Sequence, residues 1–341
     1  MNLPSKMKKL LHKPILWPAK LLVTAVAVCL IVLIVKSCSS SDDVIYPAPL
    51  RPGDKVAIIS PAGPINAGLI DSAAEVLAEM GYQPVIYPHA YGKFGHFSGR
   101  HDERLADLRA ALTDPEIRAI LCSRGGYGVV HSLEELGKID LRDDPKWVIG
   151  FSDISALHAL MASQGVASVH ASMAKQLSLG PDDPFNKMLM EILTGGHPEY
   201  KFPANPYNHT GEATGRLLGG NLAVIADLIG TPFNIIREGT ILFIEDVSEP
   251  IYKTERIMYQ LKLSGILPNL KGLIVGQFTD NKSDENHRRT EDMIREMVAG
   301  YDYPVAFGVP IGHIDNNVPV IESATATLTV TDDGTILKFE D

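Results

Sequence analysis

Short apolar runs alternate with helix-patterned stretches along the first half of the chain, and this alternation constrains the fold more than any other feature. Lys55–Ser60, Pro84–Tyr87, Ile117–Cys122 and Trp147–Ile149 read as strands, and another ends at His170. Between them Ile70, Ala73, Ala74, Leu77 and Met80 form a helical stripe closed by Gly81. Glu103–Leu112, a segment through Leu133, and the set Ile154, Leu157, Leu160 and Met161 are helical too. Strand and helix in turn predict an α/β fold, a parallel sheet with helices on both faces.

The second half reads differently. Phe185–Leu193 is a helix, and the Pro-, Asn-, Tyr- and Gly-rich stretch 198–211 follows it as a domain boundary. Beyond it, strands at Thr240–Ile244 and Gly272–Gly276 alternate with helices at Leu222–Ile229, Tyr252–Leu263 and Thr290–Val298. The chain closes with two strand-like runs around Asp332, Asp333 and Gly334, which predict a hairpin. The expected organisation is a leader, 1–43, a first domain, 44–197, a linker, 198–211, and a mixed α/β second domain, 212–341.

Residues Leu21–Val35 are uncharged and apolar, and Lys6, Lys8, Lys9, Lys13 and Lys20 precede them. A basic flank before an apolar core is a secretion or anchor pattern. Cys38 lies in a small-residue, serine-rich context that resembles a lipoprotein signal, although Lys36 departs from it. An uncleaved anchor, a lipidated Cys38 and simple secretion all stay open. The expectation is a membrane-tethered protein whose catalytic part lies outside the cytoplasm.

A formal net charge of −10 argues against nucleic acid as a partner. The three cysteines, Cys29, Cys38 and Cys122, form neither a zinc-type pairing nor a disulfide framework, and Cys122 reads as a buried thiol. No His-Glu-x-x-His motif occurs, so no metal site is expected.

Gly150, Phe151, Ser152 and Asp153 lie between an apolar strand and a helix. A serine on such a turn holds its hydroxyl out beside helix N–H donors, as a nucleophile needs. Ile154 stands where the usual elbow has a second glycine, and a plain helix cap at Ser152 or Asp153 is the competing reading. A serine needs a base and a group that orients the base. Glu245, at the end of an apolar run, is the candidate orienter. His313 follows another apolar run and competes as base with His158 and His170. Arg124–Gly128 also follows a strand, and its glycines would let backbone N–H groups approach a ligand.

Together, Ser60–Ala62, Arg124–Gly128, Gly150–Ile154, Gly219–Leu222, Ile244–Glu249 and the pair Gly312 and His313 resemble, in order, the motifs of bacterial LD-carboxypeptidases. This serine peptidase family includes the microcin C self-immunity proteins. The resemblance spans about residues 50–341. It implies a Ser152–Glu245–His313 triad, with Glu249 the rival of Glu245, and oxyanion donors at the backbone N–H groups of Asp153 and Gly126. Arg124, Tyr127 and Asn221 become candidates for the substrate cleft, which the family places between its two domains, an N-terminal Rossmann-like parallel-sheet domain and a C-terminal mixed α/β domain. The implied reaction cuts the amide between an L-centre and terminal D-alanine of a peptidoglycan tetrapeptide, with no cofactor. Hydrolysis of peptidyl nucleotides and an idle peptidoglycan-binding module are the alternatives, and a homodimer is compatible with either.

Overall fold

In the computed structural model the described residues are 44–340, apart from 284 and 286–288. Thirteen strands are formed among them. The first five are β1 (Lys55–Ile59), β2 (Gln83–Ile86), β3 (Ile117–Cys122), β4 (Trp147–Gly150) and β5 (Ser168–His170). Then come β6 (Glu199–Pro203), β7 (Gly211–Asn221), β8 (Ile241–Val247) and β9 (Gly272–Thr279). The last are β10 (Val305–Phe307), β11 (Val320–Glu322), β12 (Thr325–Thr331) and β13 (Gly334–Phe339).

The first sheet has the order β11-β5-β4-β3-β1-β2. All its pairs are parallel except β11 with β5. Alternate residues explain why it is covered on both sides. Val56, Ile58, Leu121 and Ile149 pack on one face with Ile70, Ala73 and Leu77 of helix Ala67–Glu79. Ala57, Ile59, Ile120 and Val148 pack on the other with Leu108 of helix His101–Thr113 and Leu157 of helix Ser155–Ser163. A parallel sheet buried on both faces needs such continuous apolar runs.

The order around β1 reverses direction. The chain moves outward from β1 to β2, then returns to β3 on the other side of β1. The loops after β1 and β3 therefore diverge, and a crevice opens between them at the carboxyl ends of the strands.

The second sheet, β10-β9-β8-β7-β12-β13-β6, is mixed: β7 to β10 pair in parallel, and β12, β13 and β6 antiparallel. The predicted hairpin is β12 and β13. Four strands were not anticipated. β7 and β10 flank the expected β8 and β9, β6 falls within 198–211, and β11 returns to the first sheet before β12 rejoins the second. The change of sheet occurs at Ser323, φ 71°, whose N–H donates to Leu217 O, while Leu217 N–H donates to Ala324 O.

The expected membrane tether is corrected. Among the described residues no helix is long and apolar enough to cross a membrane. Their longest helices have 13 residues, about 20 Å at 1.5 Å per residue, against a hydrocarbon core of about 30 Å. Leu21–Val35 and Cys38, on which that expectation rested, lie outside the described residues.

Candidate active site

The turn after β4 gives Ser152 a left-handed backbone, φ 68°, at the start of the short 3-10 turn Ser152–Ile154. A non-glycine residue there carries strain of about 1–2 kcal/mol and has to be held by its surroundings. Gly125 closes against it: a Cβ at Gly125 would lie 2.7 Å from Ser152 Cβ and 2.9 Å from Oγ. Only a glycine allows that approach.

His313 sits in the loop after β10. Gln277 binds this loop twice, its N–H donating to Ile311 O (2.9 Å) and its side-chain amide to Val309 O (3.0 Å). Gly312 N–H donates to Asn317 Oδ1 at 2.9 Å. The Phe151 ring lies against the imidazole, edge-on, with centroids 5.0 Å apart. So held, His313 Nε2 is 2.9 Å from Ser152 Oγ, and Nδ1 is 2.7 Å from Glu245 Oε2.

Glu245 is fully buried inside β8 rather than at its end. The pairing of β8 with β9 shifts between Ile244 and Asp246, and such an irregularity re-aims side chains. Gly312, φ 128°, makes room for the carboxylate, since a Cβ there would lie 2.9 Å from Glu245 Oε2. Glu249 instead pairs with Lys253 at 3.2 Å.

The other histidines have different surroundings. His158 is fully buried, 2.8 Å from both Ser168 Oγ and Gly150 O, and burial lowers its pKa to about 4. His170 is buried between Phe151 and Phe243 without a hydrogen-bond partner, and burial, then the neighbouring His158 and His313, hold its pKa well below the usual range. Neither touches Ser152.

Asp153 turns its carboxylate away from the crevice and accepts from Val129 N–H at 3.0 Å, so the Ser152 turn and the glycine loop are tied together. Burial raises the pKa of this carboxyl. Gly126, φ 127°, faces the other loop, where Gly63 N–H donates to Gly125 O at 2.9 Å. Arg124, Gly125, Gly126, Ser152 and His313 line an open pocket of about 570 Å³ at the switch between β1 and β3.

Two cleft candidates lie elsewhere. Tyr127 does not line this pocket; its ring packs on His131 and Phe97. Asn221 does not line it either. It caps the helix Leu222–Ala226, accepting from Val224 N–H at 3.2 Å, and donates to Asp246 Oδ1 at 2.8 Å. Burial pushes Asp246 up to about 6. Phe151, Gln277 and Lys175 were missed from sequence, because an apolar, amide or single basic residue carries no signal of its own. Among the described residues no group of His, Cys, Asp and Glu could hold a metal ion. Cys122 is buried and unpaired.

A hydroxyl, an imidazole and a buried carboxylate in line, at the crevice of an α/β fold, form the arrangement of a serine hydrolase. Models of the LD-carboxypeptidase N-terminal and C-terminal domains match residues 56–171 and 214–328, and the chain belongs to this family. It is 30% identical over 306 residues to the probable murein peptide carboxypeptidase of Bacillus subtilis, covering 86% of this chain and 94% of that protein. The crystal structure of muramoyltetrapeptide carboxypeptidase from Oxalobacter formigenes is similar with a TM-score of 0.76 and 28% identity, covering 84% of this chain and 99% of that one. The microcin C7 self immunity protein, solved with aspartyl sulfamoyl adenosine, aligns with a TM-score of 0.75 over 87% of this chain and 99% of that one. At 22% identity that likeness concerns the fold alone.

Proposed function

We propose that this chain is a serine-type LD-carboxypeptidase. It hydrolyses the amide between an L-centre, diaminopimelate or lysine, and the terminal D-alanine of peptidoglycan tetrapeptides. The observation that supports this reading best is the unbroken line from Ser152 Oγ through both nitrogens of His313 to Glu245. The expected division, 44–197 and 212–341 joined by 198–211, is kept as part of the proposal.

In this reading Ser152 Oγ attacks the scissile carbonyl while its proton passes to His313 Nε2. Glu245 accepts from Nδ1–H, fixes the tautomer and stabilises the imidazolium. The backbone N–H groups of Asp153 and Gly126 receive the oxyanion, each contributing about 3 kcal/mol to lowering the barrier. His313 then gives the proton to the leaving amine of D-alanine. Water, deprotonated by the same histidine, splits the acyl-enzyme and restores Ser152.

The test is product analysis of muropeptides incubated with the full chain. Tetrapeptides should become tripeptides with release of D-alanine, and a chelator should leave the rate unchanged. Untouched tetrapeptides together with cleaved peptidyl nucleotides would move the function to the immunity-type reaction. Binding without turnover of either would leave a binding module.

A further inference from the structure

The pocket beside Ser152 has a charge opposite to that of the protein. The chain carries −10 overall, yet no Asp or Glu among the described residues lines this pocket, while Arg124 and Lys175 both do. The nearby carboxylates of Asp153, Glu245 and Asp246 are all buried away from it. A pocket so arranged favours an anionic ligand group.

The two cations differ. Lys175 stands on the rim, its side chain 69% exposed and 3.7 Å from the exposed Asp315. A charge in that setting contributes little. Arg124 precedes Gly125, the residue whose backbone lies against the nucleophile. One guanidinium nitrogen of Arg124 donates to Pro64 O at 2.6 Å, which fixes the side chain across the crevice. Among the described residues no carboxylate pairs with it. Its remaining donors are therefore available to the pocket, in the planar fork that suits a carboxylate.

We propose that Arg124 anchors the free carboxylate of the leaving D-residue and thereby restricts the enzyme to chain ends. The inference rests on the carboxypeptidase reading above. The α-carboxylate of a terminal residue lies one residue from the scissile carbonyl, about 3.8 Å of chain. Arg124 is likewise one residue from the backbone that touches Ser152. A substrate continuing past this point presents a neutral amide and leaves the guanidinium covered but unpaired, so internal bonds are disfavoured by loss as well as by lack of gain.

The experiment compares an acyl-L-lysyl-D-alanine with its C-terminal amide, using the full chain. Wild type should favour the acid by about 100-fold in kcat/KM, the scale of a charge-assisted hydrogen-bond pair. Arg124→Gln should lose that factor on the acid, leave the amide within about threefold, and bring the ratio close to one. Lys175→Gln should keep the ratio. Should Arg124→Gln fold poorly, Arg124→Lys, which keeps the charge without the fork, should give an intermediate ratio. A wild type that cuts acid and amide equally, an unchanged ratio in the folded Arg124 variants, or collapse in Lys175→Gln would overturn the anchor alone. A wild type that cuts neither compound overturns the carboxypeptidase reading and the anchor with it.

Discussion

Ser152 and Glu245 each occupy a place that only a neighbouring glycine makes possible. Gly125 admits the strained serine, and Gly312 admits the carboxylate behind His313. The strain at Ser152, φ 68°, is offset by the packing of its turn and sets Oγ in line with His313. Groups acting as such a unit lose most of their effect when any one is removed. Ser152→Ala and His313→Ala should therefore each lower kcat by about three orders of magnitude or more, with far-UV circular dichroism unchanged. The amide of Glu245→Gln can present a donor where Nδ1–H needs an acceptor, so it should lose at least about 100-fold. Glu249→Gln, whose carboxylate pairs with Lys253, should stay within about threefold of wild type. Steady-state kinetics on the four variants decides, and near-normal rates in either Ala variant or reversed effects of the two Gln variants would dismantle the assignment.

The loops that carry these residues depend on long-range ties. Arg104, buried on helix His101–Thr113, donates to Pro61 O at 2.7 Å and Gly128 O at 3.1 Å and packs over Phe97. It thus joins the loops after β1 and β3, whose separation forms the pocket. Nothing in sequence marks it, because a single arginine on a helix rich in charged residues reads as a surface charge. β1, β3, β4 and the serine turn were legible, since burial on both faces leaves unbroken apolar runs. β11 was not, because its third residue, the buried Glu322, is polar, so the segment shows neither an apolar run nor an alternation. Glu245 appeared to follow its strand because the apolar run stops at Ile244, whereas pairing with β9 continues through the register shift. Asn221 illustrates a different ambiguity: an Asn between strand and helix suits a cleft or a cap, and tertiary contacts make it a cap. Arg104→Met removes the side-chain donor to Pro61 O, Gly128 O and Gly99 O, and of these Gly128 O keeps the His131 N–H, a loss of about 1–3 kcal/mol. It should lower both the unfolding midpoint and kcat, because the loop that carries Gly125 and Gly126 loses its brace. A variant with normal kcat and an unchanged midpoint would show that the other contacts hold the loops unaided.

Across the whole molecule, the two sheets meet through buried polar groups rather than apolar contact alone. Asn221 N–H at the end of β7 donates to Ser155 Oγ (3.0 Å), three residues after Ser152, and Gly219 N–H donates to Glu322 Oε2 on β11 (3.2 Å). Beside them His158 pins the end of β4. Gly150 O can only accept, so Nε2 carries the proton and Nδ1 accepts from Ser168. Stability then depends on pH with a definite sign. Burial lowers the His158 pKa from 6.5 to about 4. Its contribution is complete above pH 6.5 and is lost as pH falls towards 4, at up to roughly 1.4 kcal/mol per unit. Asp246, raised to about 6, and Glu322, raised well above the usual range, act oppositely, losing their contribution as pH rises. These opposing slopes flatten the wild-type curve, so the informative quantity is the difference between wild type and His158→Gln. Urea denaturation should find wild type ahead by the largest margin near pH 7. That margin should shrink by roughly 3 kcal/mol on going to pH 4, and it can change sign, because the glutamine has no proton to take up. A margin that stays constant across this range would mean that His158 does not titrate between the folded and unfolded states as its burial requires.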